Sequence, residues 1–277
     1  MKVNASVPAR INIIGEHTDH FGGLSLTFSS QHRLDLTAST RKDGSRGNQT
    51  VISLWEAAGG WSADLKVDSD IPIGAGLSSS AALCVAIVMC SQNNTDPMEI
   101  SLEAQRIENQ VLRSNCGLMD QISITHSKEG IATLLDFSRM SIEEFRMPED
   151  WRFKLVDTGI RRSLSETKYS SPEIKIGTRR IHAKEESSRV MAALNSDARA
   201  LGTILNESHA SISDNIRAST PEIDSTVMEI QNTAGVLGAR LMGGGFGGMI
   251  LALVEEEDAL PGELLISSRS AFLQETL

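Results

Sequence analysis

A run of small residues, Gly74-Ala75-Gly76-Leu77-Ser78-Ser79-Ser80, opens directly into an unbroken apolar stretch, Ala81 to Cys90. The stretch is shorter than the roughly 18 residues of a membrane span, so it is expected as a buried helix. A serine at the start of such a stretch is an N-cap signal. The two glycines let the backbone turn sharply and come close to a ligand. Open amides at the positive end of a helix dipole favour an anion, and phosphate is the usual one. A plain capped turn accounts for the same residues equally well. The lysine of a Walker loop is missing, and the third glycine of a dinucleotide fingerprint would fall at Ser79.

Around this segment the chain reads as mixed α and β. Strands are expected at 3–7, 32–40, 50–54, 131–137 and 153–157, and helices at 97–113 and 221–234. A polar, helix-like region covers 172–214. The charged segment 139–150 separates two differently patterned halves, and a soft domain boundary is expected at 138–152. A length of 277 residues suits two modest domains or one large one, at about 150 residues per domain. A net charge of −10 with 4% aromatic residues gives neither the basic surface nor the stacking rings that nucleic-acid binding uses. The N-terminal residues carry no apolar signal segment, so none is expected. Three cysteines without a Cys-x-x-Cys pair argue against a disulfide framework and a thiolate zinc site. A reducing cytoplasm is the expected compartment.

Two further segments carry chemistry. Gly243, Gly245 and Gly248 match G-x-G-x-x-G in form, but a helix is expected before them and a strand after, the reverse of the dinucleotide fold. So many glycines are costly to order, which favours a backbone that must approach another loop or a ligand over a bland turn. The segment Arg10-Ile11-Asn12-Ile13-Ile14-Gly15-Glu16-His17-Thr18-Asp19-His20 gathers Arg, Glu, His and Asp in a glycine-punctuated loop. Its spacing is not that of a helical zinc pair. Carboxylates and imidazole suit the hydroxyls of a polyol. A solvated surface loop explains the composition as well.

Taken in order, these segments resemble the GHMP kinases. Residues 8–19 are similar to the galactokinase signature Pro-Gly-Arg-Val-Asn-Leu-Ile-Gly-Glu-His-Thr-Asp. Gly74 to Ala81 resembles the second, phosphate-cradling motif of the superfamily, and Ala239 to Gly248 the third. Cys116-Gly117-Leu118-Met119-Asp120-Gln121 is similar to the family's Cys-Gly-Ile-Met-Asp-Gln, and Asp157-Thr158-Gly159 with Ser165 and Tyr169 forms a weaker match. Ala9 stands where the pattern has glycine, and His20-Phe21 where it has Tyr-Asn. Ser-Ser-Pro-Glu follows Tyr169 in place of Asn-x-Arg-Arg. The segment between Glu16 and Gly74 is short for a galactokinase.

The resemblance implies an α+β, two-domain GHMP kinase fold. Residues 1–145 would form a mixed α/β domain with the phosphate loop, and 146–277 a ferredoxin-like α/β domain, with the active site between them. It implies transfer of the ATP γ-phosphoryl group to the anomeric hydroxyl of galactose or a related aldose. Asp120 would take the hydroxyl proton, with Arg10 beside it to keep it ionised and to stabilise the transferring phosphoryl group. Ser80 and Glu108 would hold Mg²⁺. Gly74, Ala75, Gly76, Leu77, Ser78, Ser79 and Ser80 would cradle the ATP phosphates. Glu16, His17, Asp19 and Tyr169 would hold the sugar hydroxyls. The implied partners are a small sugar and ATP, with no nucleic acid and no membrane, in a monomer or weak dimer. The alternatives are a GHMP kinase of another small substrate (another sugar, a sugar acid or mevalonate) and a non-catalytic sugar and ATP sensor. Retention of Arg10, Asp120, Ser80 and Glu108 favours an enzyme.

Overall fold

The computed structural model describes residues 1–72, 74–161 and 176–274. The first half is built on two long strands, β1 (Lys2–Ile14) and β2 (Leu24–Thr40), paired antiparallel along their length. The remaining strands of this sheet are β3 (Ala63–Ser69), β4 (Ile131–Asp136) and β5 (Ser141–Arg146). β4 pairs with the first part of β2 and β3 with the last part. A short strand at the far end of the chain, Phe272–Gln274, pairs with β1 and completes the sheet. The expected division between 1–145 and 146–277 is crossed by this closing strand and by a bridge from Ser30 to Ser267, and it cuts β5 before its last residue, Arg146.

Helix α1 (Gln49–Ala57) covers residues expected as a strand. Thr50, Val51 and Ile52 favour a strand by their β-branching, but Asn48 caps the helix by accepting from Thr50 N–H, and Val51, Leu54 and Trp55 fall on one buried face. Helix α2 (Ser79–Gln92) is the expected apolar helix, and its residues 84–90 are all buried, as in a helix packed on every side. Its start departs from the expected serine cap: Ser78 has a left-handed backbone (φ 60°) and makes no side-chain cap bond. The single helix expected over 97–113 is α3 (Pro97–Ile107) followed by a wider π-helical turn, Glu108–Leu112, closed by Arg113. Helix α4 (Met119–His126) carries Asp120 in its first turn.

The second half begins with β6 (Arg152–Asp157). It continues through α5 (Ile176–Ala193), α6 (Ala198–Ser211) and α7 (Pro221–Gln231) to β7 (Val236–Leu241) and β8 (Met249–Val254). The antiparallel order is β6-β8-β7, and Leu264 adds a single bridge to Lys154 on the free side of β6. That is the strand order of a ferredoxin-like sheet with its fourth strand reduced to one bridge. The strand Phe272–Gln274 is β9. The glycine segment 243–248 lies in the β7–β8 hairpin, so a strand, not the expected helix, precedes it. The dinucleotide reading still fails, because no helix follows.

One apolar core runs through both halves, and Phe28 of β2 stacks on Phe153 of β6 at 5.9 Å. Residues 5–14 of β1 are buried on both faces, which places the next loop deep in the molecule. Among the described residues no helix is long and apolar enough to cross a membrane.

Candidate active site

Three loops converge where the two halves meet. The phosphate-loop segment and the β7–β8 hairpin touch backbone to backbone. Gly76 has φ +75°, and a Cβ there would sit 2.8 Å from the Met242 carbonyl oxygen. Gly243 has φ +80°, and a Cβ there would sit 2.9 Å from Gly76 Cα. Met249 N–H donates to Ala75 O at 3.0 Å and fixes the approach. The glycines thus serve close approach, as expected, and the partner is another loop.

Arg10 projects from β1 at a bulge and is 4% exposed. Its Nε donates to Asp120 Oδ1 at 2.8 Å, its Nη2 bonds the same oxygen, and its Nη1 donates to the Gly76 carbonyl at 3.2 Å. Burial alone would lower the Arg10 pKa. The charges of Asp120 and Glu16, the hydrogen bond to Asp120 and the charge of Asp19 outweigh burial and raise it. Arg10 is therefore a permanent cation. The Asp120 side chain is 29% exposed, open on one side.

Ser80 and Glu108 meet across the same hollow, with Ser80 Oγ donating to Glu108 Oε1 at 2.7 Å. Gln121 Nε2 donates to Glu108 Oε2 at 2.7 Å. Burial is the main cause that pushes the Glu108 pKa up, with the Asp120 charge adding to it. Arg10, Asp120, Ser80 and Glu108 line a cavity of about 340 Å³, together with residues of the Gly74–Ser79 loop, Arg113 and the hairpin glycines. Ser78 Oγ is buried there with no hydrogen-bond partner among the described residues, which fits a cradle for an anionic ligand. Ala75 does not line the cavity; its side chain is buried and its carbonyl serves the loop contact. Hard oxygen donors from a serine and a buried carboxylate suit Mg²⁺, which usually takes one or two protein ligands plus phosphate oxygens and water.

The expected sugar residues are placed unequally. Glu16 is 3% exposed. Its Oε1 accepts from Gly243 N–H at 2.6 Å and lies 3.5 Å from Arg240 Nη2. His17 is buried with φ 60°, and burial first, then neighbouring cations, lowers its pKa to about 3. Asp19 is half-buried, and its carboxylate lies against Gly117, where a Cβ would come 1.8 Å from Oδ2. Burial, and after it the charges of Asp120 and Glu16, push the Asp19 pKa up, against the opposing effect of His20. Asp19 thus shares the field of Asp120. His20 and Phe21 line a separate open groove of about 790 Å³ against α5, with Arg180 and Lys184. Tyr169 and Ser165 lie outside the described residues.

Four supporting residues had no assigned role in the sequence. Arg240 is fully buried and donates to the Asn12 and Ile13 carbonyls as well as reaching Glu16. Gln121 orients Glu108. Glu186 accepts from Gly15 N–H at 3.2 Å and Ser208 Oγ at 2.5 Å. His182 bonds the Glu16 carbonyl at 3.1 Å. Arg240 and Gln121 sit inside recognised motifs, which was an available signal. Glu186 and His182 sit in a polar helix that offers none.

Residues 2–39 match the galactokinase galactose-binding signature, 48–128 the GHMP kinases N terminal domain and 190–261 the GHMP kinases C terminal domain. The fold is similar to Lactococcus lactis galactokinase complexed with galactose, with 24% identity, 98% of this chain and 95% of that chain covered and a TM-score of 0.84. Methanococcus jannaschii mevalonate kinase gives 19% identity, 93% and 91% coverage and a TM-score of 0.72. A D-glycero-D-manno-heptose 1-phosphate kinase from Bacteroides thetaiotaomicron gives 16%, 99%, 99% and 0.65.

Proposed function

The chain belongs to the GHMP kinases and carries their galactokinase signature, and from this we propose that it phosphorylates galactose, or a closely related aldose, at the anomeric hydroxyl. It is an ATP-dependent sugar kinase. The observation that carries the reading is the Arg10 guanidinium, which holds the Asp120 carboxylate and the Gly76 carbonyl at once. One cation thereby joins the proton acceptor to the phosphate loop.

In this reading Asp120 accepts the proton of the C1 hydroxyl as its oxygen attacks the γ-phosphorus. The bond from that phosphorus to the β–γ bridging oxygen breaks, and ADP leaves with the electron pair. Arg10 stabilises charge on the phosphoryl oxygens in flight, where most of the catalytic work of such transfers lies. The phosphates rest on Gly74, Gly76 and the amides that open α2, with Ser78 Oγ free to donate. Ser80 and Glu108 would hold Mg²⁺, which supplies charge neutralisation on the phosphates when bound. Asp19 is the acid open to a sugar hydroxyl; Glu16, whose Oε1 also braces the hairpin, and His17 are further proposed sugar contacts. Tyr169 is kept as a proposed sugar contact. We place the domain division at 145/146 and the reaction in the cytoplasm, with ATP and a small sugar as partners.

An ADP-release assay with Mg-ATP and a panel of galactose, its deoxy analogues, N-acetylgalactosamine, glucose, arabinose and mevalonate tests the assignment. Turnover is expected with galactose or a near relative, falling steeply for the analogue that lacks the hydroxyl facing Asp19, because a buried partner is then left unpaired. Turnover with mevalonate and with no aldose would overturn the sugar assignment.

A further inference from the structure

Arg113 is the one other cation that lines the phosphate cavity among the described residues. It stands five positions after Glu108, on the exposed end of the π-helical turn 108–112. Arg10 has already committed its guanidinium to Asp120 and Gly76. Arg113 makes no hydrogen bond or ion pair with any described residue, so its donors remain available to a ligand. Its backbone is left-handed, φ 54°, where glycine would be at ease. Arg217 closes the similar turn 212–216 in the same way, so that backbone belongs to the turn. What sets Arg113 apart is its place in the lining of the cavity.

The supporting loop is tied down by hydrogen bonds. Asn109 Oδ1 accepts from Cys116 N–H at 2.8 Å and from Ser114 Oγ at 3.1 Å. Gln105 Nε2 and Asn109 Nδ2 both donate to the Cys116 carbonyl. These bonds fix where the Arg113 backbone stands at the rim of the cavity. The cavity already contains Glu108 and Asp120, so a polyphosphate entering it meets two carboxylates and needs more positive charge than Arg10 and one divalent ion bring. Glu108, which with Ser80 would hold the divalent ion, begins the turn that Arg113 ends, so both stand on one short segment beside the cavity.

We propose that Arg113 is a second phosphate-holding cation, which contacts the terminal phosphates of the nucleotide and makes the site discriminate ATP from AMP. The proposal rests on the kinase reading above. Charge-assisted hydrogen bonds to phosphate are strong and well suited to the planar fork of arginine.

The test is titration calorimetry with Mg-ATP and AMP, steady-state kinetics and thermal melting, on wild type, Arg113→Gly and Arg113→Lys. Glycine removes the side chain and accepts the left-handed backbone, so the melting temperature should equal or exceed that of wild type. ATP affinity should fall about 10- to 100-fold, with AMP affinity and the sugar KM unchanged. Lysine should recover part of the ATP affinity through its charge alone. Three results would overturn the proposal: unchanged ATP affinity in Arg113→Gly, equal losses for ATP and AMP, or no recovery with lysine. A wild-type protein that binds no Mg-ATP would overturn the kinase reading itself, and the role of Arg113 with it.

Discussion

Replacing Gly76 with alanine adds one methyl group where the structure has no room for it. The new Cβ would lie 2.8 Å from Met242 O and 3.6 Å from Gly243 Cα. Both neighbours are backbone, so no side-chain rotation relieves the contact. A left-handed backbone at a non-glycine residue costs about 1–2 kcal/mol. Overpacking a rigid contact adds about 1–3 kcal/mol, which makes a total of roughly 2–5 kcal/mol. For a chain of this size each kcal/mol shifts Tm by about 2–4 °C. Thermal melting of Gly76→Ala should therefore show a drop on the order of 4–20 °C. The damage should also reach the chemistry, because Gly76 O accepts from Arg10 and the loop cannot move without releasing that bond. ATP affinity and kcat should both fall while sugar binding is largely kept. Gly243→Ala strains the same contact from the other side, so the double variant should lose less than the sum of the two singles. A Gly76→Ala protein with wild-type Tm and unchanged Mg-ATP affinity by calorimetry would refute the loop-on-loop account.

Much of the site was legible because its signals are local. The glycine–serine loop, the apolar run of α2 and the Asp120 motif each declare themselves within a few residues. What was not legible comes from contacts made at long range. Thr50 to Leu54 reads as a strand by β-branching, and the Asn48 cap with the buried face of Trp55 decides for helix. Ser78 reads as a cap, yet the loop needs its left-handed backbone to turn into the cavity, so its hydroxyl cannot serve the helix. The family resemblance implies that Glu16 is a sugar ligand. Its partners Gly243 and Arg240 lie more than two hundred residues away in sequence, so only the fold reveals that its Oε1 also braces the hairpin. The strand before the glycine segment is hidden because Gly238 and the β-bulge beside it interrupt the alternation of Val236 to Leu241.

Glu108→Gln should stabilise the ligand-free protein at neutral pH and weaken Mg²⁺-dependent ATP binding. The folded-state pKa of Glu108 is raised, so its favourable contribution is full below the unfolded value and is lost as pH rises through the raised one. Removing the charge removes that loss, and the buried, unpaired Gln121 Oε1 offers an acceptor to the new amide. A lower Tm at pH 7 would contradict this. His17 acts in the opposite sense. Its pKa is lowered to about 3, so the stability it contributes is present above the unfolded value of 6.5 and drains away as pH falls from there, at about 1 kcal/mol per pH unit. Urea midpoints between pH 7 and 4 should fall more shallowly for His17→Gln than for wild type, and identical slopes would show that His17 is not held neutral by burial.

The account stands most directly on Asp120 as the proton acceptor beside Arg10. Asp120→Asn keeps the shape of the side chain and one acceptor oxygen for Arg10 but removes the base. The decisive measurement is kcat of this variant under saturating sugar and Mg-ATP, with nucleotide affinity measured in parallel by calorimetry. With the base removed, kcat should fall by about 10²–10⁴ while Mg-ATP affinity stays close to wild type. A near-normal kcat would contradict it, and would mean that positioning and charge neutralisation carry the transfer without a base at Asp120.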